Sequence, residues 1–429
     1  MVENQPINGY NTFMIKRNIT DNLLEALSDS PVVLLNGARQ TGKSTLAKWL
    51  STGLHNARYL TMDNATVLAA AQLDPEGFLA GIQGNVVLDE IQRIPEFFRA
   101  IKFEVDRNRR PGRFLLTGSA NILLLPRLSE SLAGRVEILT LWPFSQGEIQ
   151  GVKENFMDEV FAKNTPSFIQ IRSDKRGIIN RIVAGGYPEA IKRSAPARRK
   201  AWFGSYITTI LQRDVRDISN IEGLTAMPRL LSLLAARTSS LLNFAELSRS
   251  SGLPQTTLKR YMTLLETTFL ITLLPAWSGN LGKCIVKAPK LFLTDTGLAS
   301  YLLGLNEQRL SSEGQFIGPL FENFVIMELI KQSAWSKTQP QLFHFCTQTG
   351  IEVDIVLEDS EGKIVGIEVK ASTSLNVKDY YPLRILSESV GKKFHRGILL
   401  YRGTEPVPFG HNLFALPVQT IWENGIKKQ

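Results

Sequence analysis

One stretch of eight residues constrains this chain more than any other. Gly37-Ala38-Arg39-Gln40-Thr41-Gly42-Lys43-Ser44 fits the pattern G-x-x-x-x-G-K-[ST]. Before it runs Pro31-Val32-Val33-Leu34-Leu35, which reads as a buried strand. After it runs Thr45-Leu46-Ala47-Lys48-Trp49-Leu50, which has helical spacing. Strand, glycine loop and helix is the order a phosphate cradle requires. Glycines let backbone N–H groups turn inward, and the helix start adds a favourable dipole. The spacing predicts nucleotide phosphates held by residues 37–45, Lys43 on the β- and γ-phosphates and the Ser44 hydroxyl on Mg²⁺. A glycine turn that matches by chance is the alternative.

A second segment argues against chance. Val86-Val87-Leu88-Asp89-Glu90 is an apolar run ending in two carboxylates, as a Walker B strand does. Asp89 is the candidate for the Mg²⁺ shell, and Glu90 for the base that deprotonates water. The run Arg113 to Asn121 is another strand ending in small polar residues, with Ser119 as the hydroxyl candidate for the γ-phosphate. Arg135 precedes the apolar run 136–141. It is either an arginine finger for a neighbouring subunit or a surface arginine.

These pieces carry a resemblance. GARQTGKST, VVLDEIQ, LLTGSAN, SLAGR followed by EILTLWPFS, GGYPEA at 185–190, and the terminal EVDIVL and GIEVKAS resemble a bacterial and archaeal family. In that family an AAA-type ATPase core carries a C-terminal region. The resemblance implies ATP and Mg²⁺ as cofactors and a small helical lid after the core. In related ATPases a Gly-x-Pro element of that lid contacts the nucleotide. That makes Gly186-Tyr187-Pro188 a candidate adenine-side contact, with Pro188 as its proline. A helix-terminating turn is the other reading.

A chain of 429 residues is too long for one core. The pattern divides it into an ATPase core at 1–150, a helical lid at 151–225, a winged helix at 226–305 and a last module at 306–429. Strand and helix alternate to about residue 145, which predicts a parallel α/β sheet with helices on both faces. No apolar run is long enough to cross a bilayer, and Met1-Val2-Glu3-Asn4-Gln5 is not an export signal. The expectation is a cytoplasmic protein without a membrane partner. Cys284 and Cys346 fit no metal spacing.

The net charge of +9 points toward a polyanion, with DNA as the expected partner. Arg107, Arg109, Arg110 and Arg113 form one basic cluster, and Lys192, Arg193, Arg198, Arg199 and Lys200 another. Each either tracks phosphates or is a solvated face. Helix, helix, glycine turn, helix and strand pair over 226–300 is a winged helix-turn-helix pattern. Gln255, Thr256, Lys259 and Arg260 fall on the exposed face of its third helix, and Lys283 on the wing. Winged helices also bind protein.

The last module holds a second constellation. Glu322 lies in an apolar helix, and Asp354 in the strand Glu352 to Leu357. Glu368 and Lys370 share one face of the strand after it. This is the layout of a PD-(D/E)XK nuclease fold. Asp354 and Glu368 would hold Mg²⁺, Lys370 would steady the phosphoryl charge, and Glu322 would complete the site. A plain salt bridge between Glu368 and Lys370 is the alternative. The leading expectation is a DNA-dependent ATPase, a motor or remodeller, working as a homo-oligomer with a hexameric ring as one form. A nucleotide-gated regulatory or defence switch that binds protein, and an ATP-gated metal-dependent nuclease, stay open beside it.

Overall fold

The computed structural model describes residues 15–119, 132–163, 167–168, 177–215, 224–278, 288–410, 412–423 and 426–427. The front of the chain is a parallel sheet of β1 (Val32–Asn36), β2 (Ala57–Thr61), β3 (Asn85–Asp89), β4 (Phe114–Gly118) and β5 (Val136–Thr140). Their order is β2-β3-β4-β1-β5, and every pairing is parallel.

Alternate residues of each strand feed two cores. Val32, Leu34, Val86, Leu88, Phe114 and Leu116 meet Phe97, Phe98 and Ile101 of the helix Phe97–Arg107. Val33, Leu35, Val87 and Leu115 meet Leu46 and Leu50 of the helix Lys43–Thr52, and Leu23 and Leu27 of the helix Thr20–Asp29. A sheet covered on both faces needs apolar residues at both parities, so the strands read as unbroken apolar runs. Each fully buried Val, Leu or Phe contributes about 1.5–3 kcal/mol. The strands stop where Asn36, Asp89 and Gly118 interrupt the apolar pattern. Those ends form the edge at which open α/β sheets bind ligands.

Behind the sheet come the helices Gln146–Gln150, Phe156–Glu159, Ile178–Ala184, Pro188–Ile191 and Pro196–Thr209. The two-residue strands β6 (Ser167–Phe168) and, near the chain end, β16 (Ile426–Lys427) pair antiparallel. Next stand the helices Met227–Ala235, Phe244–Ser251 and Gln255–Thr267. With them lies a sheet of β7 (Ser240–Leu241), β8 (Ile271–Leu274) and β9 (Lys290–Leu293), in the order β7-β9-β8. Asn243 caps the second helix by accepting from the Ala245 and Glu246 amides at 3.1 Å each. β8 starts at Ile271, later than the apolar run from Thr268 suggests. The helix continues to Thr267, and Phe269 turns the chain with a φ of 56°.

The rear is one sheet with helices on both sides. Its strands are β10 (Gln341–Cys346), β11 (Glu352–Glu358), β12 (Ile364–Lys370), β13 (Phe394–Tyr401), β14 (Val407–Pro408) and β15 (Leu413–Pro417). The order is β10-β11-β12-β13-β15-β14. The first three pair antiparallel, whereas β12, β13 and β15 run parallel. The helix Gly314–Ser333 covers one face and Tyr381–Val390 the other. Asp354 is therefore enclosed with its strand neighbours. Val353 and Ile355 are 0% exposed and Asp354 only 9%. One apolar core joins Ala38 and Phe156 to Trp422 and includes Phe203, Leu264, Phe292 and Phe321. Among the described residues no helix is long and apolar enough to cross a membrane.

Candidate nucleotide-binding site

The glycine loop joins β1 to the helix Lys43–Thr52. Gly37, Gln40 and Gly42 take φ of 142°, 64° and 98°. A Cβ on Gly37 would lie 2.3 Å from the Leu141 carbonyl oxygen, so only glycine fits there. Ala38 and Thr41 are buried, Arg39 and Ser44 partly so, and Thr45 is exposed. Lys43 is buried and donates from Nζ to the carbonyl oxygens of Gly37 at 2.9 Å and Ala38 at 2.7 Å. The ammonium thus lies over the loop, on backbone carbonyls of the loop itself.

Asp89 ends β3 beside the loop. Its Oδ1 accepts from Ser44 Oγ at 2.9 Å and from Thr117 Oγ1. Its Oδ2 accepts from the Tyr59 hydroxyl at 2.7 Å. Burial, then the Asp89 hydrogen bond, pushes the Tyr59 pKa above the usual tyrosine range, so Tyr59 stays a neutral donor. Glu90 leaves the strand with φ 60° and ψ 44°, a left-handed conformation that costs about 1 kcal/mol or more for a residue with a Cβ. Its amide donates to Thr117 Oγ1 at 3.1 Å. Gln92 Nε2 donates to Glu90 Oε2, and to Ser119 Oγ at 2.9 Å. The structure therefore gathers Lys43, Ser44, Asp89, Glu90 and Ser119 at one edge of the sheet.

Tyr59, Gln92 and Thr117 also belong to this cluster, and sequence reasoning did not single them out. Each lies inside a motif or strand, but its reach depends on β2 and β4 flanking β3. The donor set fits Mg²⁺. Among the described residues no group of three or more His, Cys, Asp and Glu is set to hold a metal ion. Nucleotide-bound Mg²⁺ needs only one or two protein oxygens, the rest coming from phosphates and water.

Other candidates fall elsewhere. Arg135 stands before β5, at the amino edge of the parallel sheet, opposite the loop. It forms an ion pair with Asp106, Nη2 to Oδ2 at 3.1 Å. Pro188 is partly buried at the first position of the helix Pro188–Ile191. Gly186 is committed elsewhere. Its amide donates to Asp295 Oδ2 at 2.6 Å and its carbonyl accepts from the Phe144 amide at 2.8 Å. The lid meets the loop through Tyr206, whose hydroxyl lies 3.3 Å from the Arg39 carbonyl oxygen and 2.9 Å from the Tyr187 hydroxyl.

The basic clusters divide. Arg107, Arg109 and Arg110 are exposed, but Arg113 is buried and donates to the carbonyls of Ile82, at 2.7 Å, and Gly84. Arg113 is a structural clasp and offers nothing to a phosphate. Lys192 and Arg193 pair with Glu189 at 2.9 and 2.8 Å. Gln255, Thr256, Lys259 and Arg260 are all exposed on one helix. Lys283 lies outside the described residues.

Asp354, Glu368, Glu322 and Lys370 come together in the rear sheet. Lys370 Nζ donates to Glu368 Oε1 at 2.7 Å, and the Val369 amide to Asp354 Oδ2 at 2.9 Å. Burial, then the Asp354 charge, pushes the Glu368 carboxyl up to about 8 and raises Glu322 above the usual range. A residue that no motif marked joins them. Lys290 Nζ lies 3.0 Å from Glu322 Oε1, 3.1 Å from Asp354 Oδ1 and 3.7 Å from Glu352 Oε2.

Residues 29–150 match a family model described as an AAA domain. Residues 175–309 match a Domain of unknown function (DUF8612), and residues 317–421 a Domain of unknown function (DUF4143). The parallel sheet and glycine loop thus belong to an AAA-type ATPase domain. The chain is 31% identical over 411 residues to Uncharacterized protein Rv2008c of Mycobacterium tuberculosis and to Uncharacterized protein Mb2031c of Mycobacterium bovis. The match covers 96% of this chain and 85% of each relative. The chain belongs to the family of these two mycobacterial proteins. Among solved structures, the Thermotoga maritima RuvB Holliday junction branch migration motor aligns at 18% identity over 59% of this chain and 88% of its own, with a TM-score of 0.28. That likeness is too loose to bear on the site.

Proposed function

We propose that this protein binds ATP with Mg²⁺ and hydrolyses it. One observation carries the reading: Ser44 Oγ and Asp89 Oδ1 meet at 2.9 Å beside a glycine loop whose lysine is already buried. Bound Mg²⁺–ATP supplies the anhydride bond and a metal that draws charge off the γ-phosphate. Lys43 exchanges two carbonyl acceptors for phosphate oxygens, a gain because charge-assisted bonds are stronger. Ser44 and Asp89 are the residues that would hold the metal. Glu90 accepts the water proton at Oε1, while Gln92 donates to its Oε2 and keeps the carboxylate turned. Ser119 and Gln92 orient the water. Release of phosphate from the wild-type chain, and none from D89N, is the expected result. Equal release from both would end the reading.

The finer reading is that this ATPase acts on DNA. Its support is the exposed row Gln255, Thr256, Lys259 and Arg260 and the net charge of +9. A homo-oligomer belongs to the same reading, since Arg135 has no route to the loop of its own chain. The test is ATPase rate with and without duplex, branched and single-stranded DNA, together with binding against salt. Stimulation and salt-dependent binding that fall in K259E/R260E are expected. With neither, the protein is better described as a nucleotide-gated switch for a protein partner.

A further inference from the structure

We propose that the Lys290 ammonium occupies the cation position of the rear acidic cluster. The cluster is then an internal lock between two parts of the chain, and it takes no divalent metal while Lys290 is seated. The inference is independent of whether the glycine loop hydrolyses ATP.

Lys290 opens β9, the central strand of the β7-β9-β8 sheet, where it pairs with Leu241 and Leu274. It is 2% exposed. Its side chain leaves that sheet and ends among carboxylates of two other elements. Glu322 comes from the helix Gly314–Ser333, and Asp354 and Glu352 come from β11. Burial works against the charge, but Asp354, Glu322 and Glu352 outweigh it and hold the Lys290 pKa above the usual lysine value.

A divalent ion bound by Glu322 and Asp354 would sit about 2.0–2.6 Å from the same oxygens that Lys290 already contacts. The two cations cannot share that space. Glu368, the third candidate ligand, is paired with Lys370 at 2.7 Å. Mg²⁺ therefore does not fit this donor set as it stands, and no such metal-holding group exists among the described residues.

The strand that carries the lysine is itself held to the Glu322 helix. Asn323, next to Glu322 and 0% exposed, clasps β9 from the same helix. Its Nδ2 donates to the Leu293 carbonyl at 2.8 Å, and its Oδ1 accepts from the Leu293 amide at 2.9 Å and from the Thr238 hydroxyl. β9 and the Glu322 helix are thus joined by an amide clasp at one end and an ion cluster at the other. The backbone from which the Lys290 side chain reaches the carboxylates is thereby held against the helix that carries Glu322.

The test counts Mn²⁺ bound to the nucleotide-free full-length chain by electron paramagnetic resonance. Wild type, D354N, K290M and K290M/D354N are compared. Wild type and D354N should bind alike. K290M, which keeps the side-chain length and removes the charge, should gain one site, at least about tenfold tighter than any in wild type, and K290M/D354N should lose it. A D354-dependent Mn²⁺ site in the wild-type chain overturns the proposal. So does a folded K290M that gains none. If K290M does not fold, the comparison of wild type with D354N still decides the matter. D354-dependent, Mg²⁺-dependent cleavage of DNA by the wild-type chain overturns it as well.

Discussion

Arg17 donates from Nη1 to the carbonyl oxygen of Thr41 at 2.8 Å, so a residue twenty-four positions upstream holds the turn just before Gly42. The same guanidinium reaches the Trp142 carbonyl at 2.6 Å and Glu148 Oε1 at 3.0 Å. From there the contacts continue rearward. Glu328 Oε2 accepts from the Gln146 amide at 2.8 Å, and Lys331 Nζ donates to the Phe144 carbonyl at 3.0 Å. The glycine loop, the segment 142–148 and the helix Gly314–Ser333 are linked by polar contacts, all but one of them with both partners buried. A shift of the loop on nucleotide binding has a physical route to the rear half.

Arg17 is 6% exposed and Glu148 2%. R17M strips a buried carboxylate of its cation and should cost about 3–5 kcal/mol. Urea denaturation measures it. R17K should recover only part, because an ammonium cannot span three acceptors as the planar guanidinium does. A change below about 0.5 kcal/mol would show that the clasp is not used.

Lys43 supplies the one buried cation of the glycine loop. K43A should weaken ATP binding by roughly 10- to 100-fold, the worth of a charge-assisted phosphate contact. Titration with a fluorescent ATP analogue reads this directly. Unchanged affinity would mean that the loop is not where nucleotide binds.

E90Q keeps the shape of the site and removes the proton acceptor. It should bind ATP as tightly as wild type and turn it over roughly 10²- to 10⁴-fold more slowly. Single-turnover kinetics separate the two. Normal turnover in E90Q would place the base elsewhere.

Glu154 gives the fold a pH dependence. It is buried beside Glu328 and Glu148, and burial first, then the Glu328 charge, pushes its carboxyl up to about 8 from 4.5. The folded chain keeps this proton between those values, and the unfolded chain gives it up. The stabilisation is complete below about 4.5 and is lost as pH rises through about 8. The slope is at most about 1.4 kcal/mol per pH unit for one proton. Glu368 adds to the same window, so the comparison is wild type against E154Q. E154Q should flatten the fall in urea midpoint between pH 5 and 8. An unchanged profile would assign the dependence to other groups.

The front of the molecule was legible because its chemistry is nearly contiguous. A strand, a glycine loop and a helix occupy neighbouring positions, so Gly37 to Ser44 carries its own geometry wherever the rest of the chain goes. Asp89 and Glu90 end an apolar run long enough to mark itself as a strand. The parity of Glu368 and Lys370 follows from the two-residue repeat of any strand. Local rules suffice for all of these, because backbone sterics and side-chain periodicity act over a few residues.

Lys290 looks like one more lysine on a short strand, and Arg17 like a surface residue ahead of the first helix. Their meaning comes from partners up to 64 and 131 positions away. Arg113 sat in a basic cluster and turned out to be a buried clasp, because its neighbours Ile82 and Gly84 present carbonyls that nothing local foretells. Charge pairing across such separations depends on which elements pack together. That packing is set by the summed burial of many apolar side chains, and no single stretch of residues contains it.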